Sequence, residues 1–188
     1  MGKILVFDPL LSANAKRSCA SCHRPEKAFC DQRTTSRGFL FSDNLNRNAP
    51  SLINAALSET HFFHEGQHQN LAGVFEAVIT NPKEFNFSYP QILARLQTSA
   101  EYRALFQSAF DKKNTVFNPI SRSELDESLI EYLKILRGYD SAFDKTMNNK
   151  PTRSTETWAI NYSCRKPNAA VATRRQVLAA VKSPFLIA

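Results

Sequence analysis

Apolar residues recur at helical spacing in four stretches of the chain, and no stretch shows a convincing strand alternation. The four apolar faces are Leu71, Val74, Phe75, Val78 and Ile79; Ile92, Leu93 and Leu96; Tyr102, Leu105, Phe106 and Phe110; and Leu125, Leu129, Tyr132, Leu133 and Leu136. Residues 23–52 are instead polar and rich in turn formers such as Pro25, Gly38 and Pro50. The pattern predicts an all-α body whose helices are joined by long irregular segments.

Helix-start signals stand in front of three of these faces. Ser88 and Ser99 precede the second and third faces as candidate caps. Ser121 and Glu124 have the spacing of a capping box, and the helix that they begin is predicted to run to about Arg137. The residues from Asn81 to Pro82 end the first helix, because a proline disfavours helical geometry in its predecessor.

Composition favours one globular domain followed by a tail. The 188 residues are 43% hydrophobic, which is ordinary for a folded domain. The formal charge is +7, but residues 151–188 hold six basic side chains against one acidic, so the body is nearly neutral. We predict a domain over residues 1–147 and a linker with a basic tail over residues 148–188. No pattern of nucleic-acid binding and no membrane-spanning run is present in the sequence.

The sequence Cys19-Ala20-Ser21-Cys22-His23 is a C-x-x-C-H motif, which is the signature of covalent c-type haem attachment. Two thiols at this spacing can each bond one vinyl group of the same porphyrin. The histidine that follows then lies under the iron as its axial ligand. The motif predicts one covalently attached haem c on Cys19 and Cys22, with His23 as the iron ligand.

Two other interpretations of the C-x-x-C pair remain open. Half of a zinc site would need further ligands at metal spacing, and Cys30 and Cys164 stand alone in the sequence. A thioredoxin-like redox pair would need a surrounding βαβ pattern, which is missing. Cys30 itself is expected to be a small buried thiol.

Several further motifs, in order along the chain, resemble the amino-terminal haem domain of bacterial di-haem cytochrome c peroxidases. That family includes the haem enzymes that mature methylamine dehydrogenase. The resemblance covers roughly residues 2–147. It rests on Leu5-Val6-Phe7-Asp8-Pro9-Leu10-Leu11-Ser12, the haem motif through Phe29, Arg47-Asn48-Ala49-Pro50-Ser51-Leu52-Ile53-Asn54-Ala55-Ala56, Phe63-His64-Glu65-Gly66-Gln67, Asn81-Pro82-Lys83-Glu84-Phe85 and Ser141-Ala142-Phe143-Asp144.

The resemblance implies a cytochrome c-like fold whose loops wrap the haem. It implies a periplasmic oxidoreductase that reduces hydrogen peroxide to water with electrons from a small c-type cytochrome or cupredoxin. In this family a second haem, in a following domain, passes the electrons on. A homodimer is compatible with the resemblance.

The resemblance also assigns roles to single residues. Glu84 corresponds to the distal acid, and a positioned carboxylate that moves a proton is worth roughly 10² to 10⁴ in rate. Arg47 is expected to bind a haem propionate or, equally, to hold the turn that follows it. His64 replaces a family tryptophan and is the first choice for a distal iron ligand among His61, His64 and His68, with a surface role as the alternative.

Two departures limit the expected activity. Some relatives carry a histidine after the proximal one as a removable sixth ligand, but Arg37 to Phe41 occupy that region here, so the sixth position is expected to be open. The chain has no second C-x-x-C-H, and Cys164 is followed by Arg165. We expect an incomplete peroxidase. The alternative is a mono-haem electron carrier or sensor without turnover.

Overall fold

The computed structural model describes residues 1–57, 61–110, 119–141 and 144–145. Five α-helices and four one-turn 3₁₀ helices make up the regular structure of these ranges, where β-structure is limited to isolated bridges. The α-helices are α1 (Gly2–Phe7), α2 (Leu71–Thr80), α3 (Tyr89–Thr98), α4 (Ala100–Ala109) and α5 (Arg122–Ile135); the 3₁₀ helices are Pro9–Leu11, Cys19–Ser21, Pro25–Lys27 and Ala55–Leu57. The prediction of a helical body with long irregular segments is confirmed.

Capping explains where three helices begin. The side chains of Asn70 and Ser99 accept hydrogen bonds from the backbone N–H groups of Gly73 and Tyr102, at 2.8 and 3.3 Å. Ser121 and Glu124 form the reciprocal bonds of a capping box, at 3.3 and 2.9 Å. These bonds satisfy backbone donors that the first helical turn leaves without an internal partner.

The start of α3 is as predicted, with Ser88 at its N-cap position, whereas the predicted capping bond and the predicted end of α5 need correction. Ser88 precedes α3, but its hydroxyl donates to the Gln91 side chain at 2.6 Å and makes no capping bond to the backbone. Helix α5 ends at Ile135, before the predicted Arg137, because Leu136 leaves the helical region with ψ of 73°. Helix α1 was not anticipated, since six residues are too few to show a period.

Helix α1 lies against α5 and beside the 3₁₀ turn that carries the first cysteine. The close approach depends on Gly2: a Cβ atom there would lie 1.9 Å from the Ser128 carbonyl oxygen. The core beneath this contact joins side chains of all five helices. It contains Leu5, Val6, Leu11, Ile79, Phe85, Ile92, Leu96, Phe106, Leu125 and Leu129.

Two polar side chains, Arg95 and Tyr102, hold the segment before the cysteines against the helices. Arg95 donates to the carbonyl oxygens of Leu10 and Ser12 at 2.8 and 2.6 Å, and to that of Ala13 at 3.2 Å. The Tyr102 hydroxyl donates to Asp8 at 2.6 Å, from α4. These bonds hold residues 8–13 against helices α3 and α4.

The segment after the motif is irregular and is held by its own hydrogen bonds. The buried Asp31 accepts from the Ser36 hydroxyl at 2.5 Å and from the Arg33 backbone N–H at 3.2 Å. Backbone bonds then close the loop, from Ser36 N–H to the Arg47 carbonyl at 3.0 Å and from Gly38 N–H to Asp43 at 2.8 Å. The loop is therefore folded although it has no regular structure.

Contacts within the chain define a first compact unit, Met1–Leu136, and a second that begins at Arg137. In the second unit, Ser141 and Asp144 exchange hydrogen bonds. The predicted boundary near residue 147 and the predicted tail, with Cys164, lie outside the described residues. No helix in the described part of the chain is both long enough and apolar enough to cross a membrane.

Candidate haem-attachment site

The haem motif is a tight turn fixed by its own backbone. The N–H groups of Cys22 and His23 both bond the Cys19 carbonyl, at 3.2 and 2.9 Å, and the Ser18 N–H donates to the Ser21 hydroxyl at 3.0 Å. Cys19 and Cys22 are half-buried and form no disulfide. Both thiols therefore stand as separate nucleophiles on one turn, with His23 directly after it.

The tautomer of His23 is set by two carbonyl groups. Its Nδ1 lies 3.0 Å from the Phe29 carbonyl oxygen and 3.1 Å from that of Pro50. Carbonyl oxygens only accept hydrogen bonds, so Nδ1 carries the proton and Nε2 keeps its lone pair. Burial lowers the pKa of His23, although the two carbonyls oppose the shift. The ring is thus held neutral, in the form that binds a metal through Nε2.

The backbone that leads to the Phe29 carbonyl, one of the two partners of His23, has an unusual conformation. Ala28 and Phe29 both have left-handed φ angles, 53° and 58°, and the Phe29 N–H bonds back to the Arg24 carbonyl at 2.8 Å. This turn directs the Phe29 carbonyl to the imidazole. Ser51, next to Pro50, donates its hydroxyl to the Ala28 carbonyl at 2.5 Å and so joins the two acceptor segments.

Both attachment thiols are protonated at neutral pH. Burial raises the pKa of Cys19 to about 12, and it also raises the pKa of Cys22. Arg17 opposes both shifts, and Glu84 adds to both. The thiols therefore share one local field with a buried arginine and a carboxyl group.

Arg17, two residues before Cys19, is 2% exposed. Its guanidinium donates to the carbonyl oxygens of Gly38 and Arg37, both at 2.5 Å, and to the Cys22 sulfur at 3.1 Å. It also lies over the Phe41 ring, 5.4 Å from the centroid. Sequence reasoning missed this residue, because a buried arginine has no sequence signal that separates it from an exposed one.

Glu84 lies in the turn after α2. Its carboxyl accepts from the Asn81 side-chain amide at 3.0 Å, and its backbone N–H bonds the Asn81 carbonyl at 3.0 Å. The residues on either side of Glu84 fix the turn, since the Phe39 N–H bonds the Lys83 carbonyl and the Ala13 N–H bonds that of Phe85, at 2.7 and 3.0 Å. Burial raises the pKa of Glu84, while Arg17 and the Asn81 bond oppose the shift.

The side chains of Arg47 and His64 both lie next to the Glu65 carboxylate. Arg47 forms an ion pair with Glu65, and His64 Nδ1 lies 3.7 Å from the same carboxylate. The His64 side chain is 72% exposed. Among the described contacts, none joins either residue to the motif, so their predicted roles at a propionate and at the iron stay predictions. His68 packs edge-on against the Phe63 ring, with 5.1 Å between the ring centroids.

The structure corrects the expectation that Cys30 is a buried thiol. It is half-buried rather than buried, and its thiol donates to the Lys27 carbonyl at 2.8 Å. Across the described ranges, no group of three or more His, Cys, Asp or Glu side chains comes together in a way that could hold a metal ion.

The residues present fit a covalently attached haem. Two unpaired thiols on one turn and a histidine with its Nε2 lone pair available are the donor set that such a group requires. Cys19 and Cys22 would hold the porphyrin, and His23 would hold the iron.

Comparison with known proteins gives consistent matches. The family model described as di-haem cytochrome c peroxidase matches residues 1–152. Methylamine utilization protein MauG of Methylorubrum extorquens is 32% identical over 145 residues, which are 77% of this chain and 39% of that protein. Cytochrome c551 peroxidase of Pseudomonas aeruginosa is 31% identical over 145 residues, which are 77% of this chain and 40% of that protein.

A solved structure shares the fold. The crystal structure of a MauG-like protein associated with microbial copper homeostasis superimposes with a TM-score of 0.71 at 28% identity, over 81% of this chain and 44% of that one. The likeness confirms the expected haem-domain fold. The chain spans about two fifths of the length of the relatives it matches.

Proposed function

Because the chain belongs to the di-haem cytochrome c peroxidase family, we propose that residues 1–147 are the haem-binding part of a peroxidase that reduces hydrogen peroxide to water. The observation that carries the proposal is the turn from Cys19 to His23, with two unpaired thiols and a neutral imidazole whose Nδ1 is already bonded. One haem c, attached through both thiols, would supply the iron at which the O–O bond is cleaved. Relatives named as cytochrome c peroxidases support the substrate.

Glu84 is the proton carrier in this proposal. Cleavage of the O–O bond into water needs a proton on the leaving oxygen, and a carboxyl group can take it from one oxygen and give it to the other. Burial raises the pKa of Glu84, so its protonated and ionised carboxyl forms differ less in free energy at neutral pH. A group that exchanges its proton easily at the working pH is a better acid and base catalyst.

The electrons come from outside this part of the chain. Reduction of one peroxide to two waters takes two electrons, and we propose a small c-type cytochrome or cupredoxin as their source. The relatives are more than twice as long as the matched region. We propose that turnover needs a second haem domain of the kind that the family name describes, and that residues 148–188 act as a linker and basic tail. Covalent haem attachment takes place outside the cytoplasm, so the proposed location is the periplasm.

The test of the attachment is a denaturing gel stained for haem. Thioether bonds survive unfolding, so protein made with the cytochrome c maturation machinery should keep its haem on the gel. The double variant Cys19→Ala, Cys22→Ala should lose it, whereas Cys30→Ala should keep it. Haem that separates from the unmodified protein on the gel would overturn the proposal.

The ferric absorption spectrum tests the reaction. A high-spin spectrum that changes on addition of hydrogen peroxide is expected of a peroxidase with an open iron position. A six-coordinate low-spin spectrum that peroxide leaves unchanged would overturn the peroxidase and indicate an electron carrier.

A further inference from the structure

The strongest unassigned feature is the buried charge of Arg17. Its guanidinium is bonded to two segments at once, the loop carbonyls of Arg37 and Gly38 and the sulfur of Cys22. Nothing in the catalytic proposal uses this residue. An arginine keeps its positive charge in proteins, so burial of the side chain carries a large desolvation cost that must be offset locally.

The partners of Arg17 offset that cost without cancelling its charge. Its three hydrogen-bond acceptors in the described part of the chain are two neutral carbonyls and a sulfur. Glu84 interacts with Arg17 electrostatically. Because these acceptors are neutral, the positive charge persists, and the 3.1 Å bond to the Cys22 sulfur places it at the attachment turn.

We propose that Arg17 is a positioning residue that raises the reduction potential of the haem and holds the loop at Arg37 and Gly38 against the Cys22 sulfur. Reduction adds one negative charge at the iron. A fixed positive charge in a poorly screened site stabilises the reduced state more than the oxidised state, and charged or hydrogen-bonded neighbours are established means of tuning haem potentials. The inference rests on the proposed haem attachment.

Two carboxyl groups near the motif, one buried and one half-buried, carry a charge opposite to that of Arg17 when they are ionised. Asp31 interacts electrostatically with His23 and Cys22, and Glu84 interacts with both thiols. Asp31 keeps its own bonds from Ser36 and Arg33 when Arg17 is changed. Arg17 lowers the pKa of Glu84, so its removal favours protonation of that carboxyl group and offsets part of the expected fall in potential.

Two variants separate charge from packing. Arg17→Met keeps much of the apolar stem and removes the charge and the donors. Arg17→Lys keeps the charge but loses the planar fork that reaches two carbonyls and a sulfur at once. The matched control is Arg95→Met. Arg95 is also partly buried and also donates to three carbonyls, those of Leu10, Ser12 and Ala13, but it has no bond to either thiol.

The experiment first measures covalent haem content and then the midpoint potential by spectroelectrochemical titration. The expected result is a potential that falls in Arg17→Met, stays near the original value in Arg17→Lys, and is unchanged in Arg95→Met although that variant unfolds at a lower temperature. An unchanged potential in haem-loaded Arg17→Met, or an equal fall in Arg95→Met, would overturn the inference.

Failure to load haem is also informative. If Arg17→Met takes up no haem but Arg17→Lys is loaded at the original potential, the charge is what the site requires, and the inference is supported. If neither variant is loaded while Arg95→Met is, Arg17 acts in folding alone and the inference is wrong. Absence of haem from the unmodified protein would instead show that the proposed attachment has failed.

Discussion

The proposed haem attachment needs a reactive thiol at Cys19. The folded environment of Cys19 instead disfavours the reactive thiolate form. Burial raises its pKa from the ordinary 9.0 to about 12. The thiolate is the reactive form, so at pH 8 the folded, haem-free protein holds about 10³-fold less of it at this position than an ordinary thiol would.

The shift predicts slow alkylation of Cys19. In haem-free protein at pH 8, iodoacetamide should modify Cys19 roughly 10²-fold or more slowly than in the same protein unfolded in urea. The folded rate should go on rising above pH 9, where the rate of the unfolded chain levels off, because the folded thiol ionises only near pH 12. Mass mapping of the Cys19 peptide gives the rate. Equal rates in both states at pH 8 would contradict the burial of this thiol.

Glu84 is the residue whose change should affect chemistry without affecting haem attachment. Glu84→Gln keeps the size and the bond from Asn81 but cannot exchange a proton. In an assembly that is competent for turnover, peroxide reduction should fall by about 10² or more at constant haem content. Glu101→Gln, on the exposed first turn of α4, is the control and should leave the rate unchanged. A rate for Glu84→Gln equal to that of the control would assign the proton to another group.

The sequence shows the contiguous part of the proposed site and does not show the groups that support it. Cys19, Cys22 and His23 could be found because the chemistry of attachment fixes their spacing. The carbonyls of Phe29 and Pro50 could not be found, since any residue type supplies a carbonyl and only the folded loop brings these two to His23. The sequence gives little sign of the turn that directs the Phe29 carbonyl to His23, because the left-handed φ angles of this turn fall on Ala28 and Phe29 rather than on glycine.

At the scale of elements, the helices of ten residues or more were predictable because they show full turns of apolar periodicity and recognisable caps. Helix α1 was not predictable, because its six residues gain their stability from contact with α5 rather than from local preference. Ser88 shows the same limit, since it occupies the N-cap position of α3 but its hydroxyl donates to the side chain of Gln91 and makes no capping bond.

The contact between α1 and α5 predicts a large effect of a single methyl group. In Gly2→Ala the new Cβ would lie 1.9 Å from the Ser128 carbonyl oxygen, so α1 must move away from α5. We expect a loss of about 1 to 3 kcal/mol in the free energy of unfolding, the range for overpacking. Urea denaturation followed by circular dichroism measures it. Lys3→Ala, exposed on the same helix, is the control, and a Gly2→Ala effect no larger than the control would contradict the close contact.

At the scale of the whole molecule, the 188-residue chain holds one C-x-x-C-H motif, and the relatives it matches are much longer. The charge of the chain also divides unevenly, since the basic excess falls after residue 150. Residues 1–150 are therefore nearly neutral.

The purified 188-residue chain is predicted to be a poor steady-state peroxidase. It should contain one iron per chain and react with hydrogen peroxide in a single turnover, but a cytochrome donor should reduce it again only slowly, because these 188 residues contain one C-x-x-C-H motif. Stopped-flow absorption separates the two phases, with a complete di-haem relative as the positive control. Sustained turnover at about 1 to 10³ s⁻¹ with a protein donor alone would contradict the prediction.

The packing of Gly2 on Ser128 also sets an order of events for an exported chain. If the haem is attached outside the cytoplasm as proposed, a chain that crosses the membrane amino-terminus first delivers α1, Cys19, Cys22 and His23 before Ser128, and until then α1 has no α5 to pack against. During this interval a maturation enzyme can reach the thiols before the unit that contains α1 and α5 has folded. A chain stopped after Ala109 should accordingly show Cys19 alkylated at the rate of the unfolded protein.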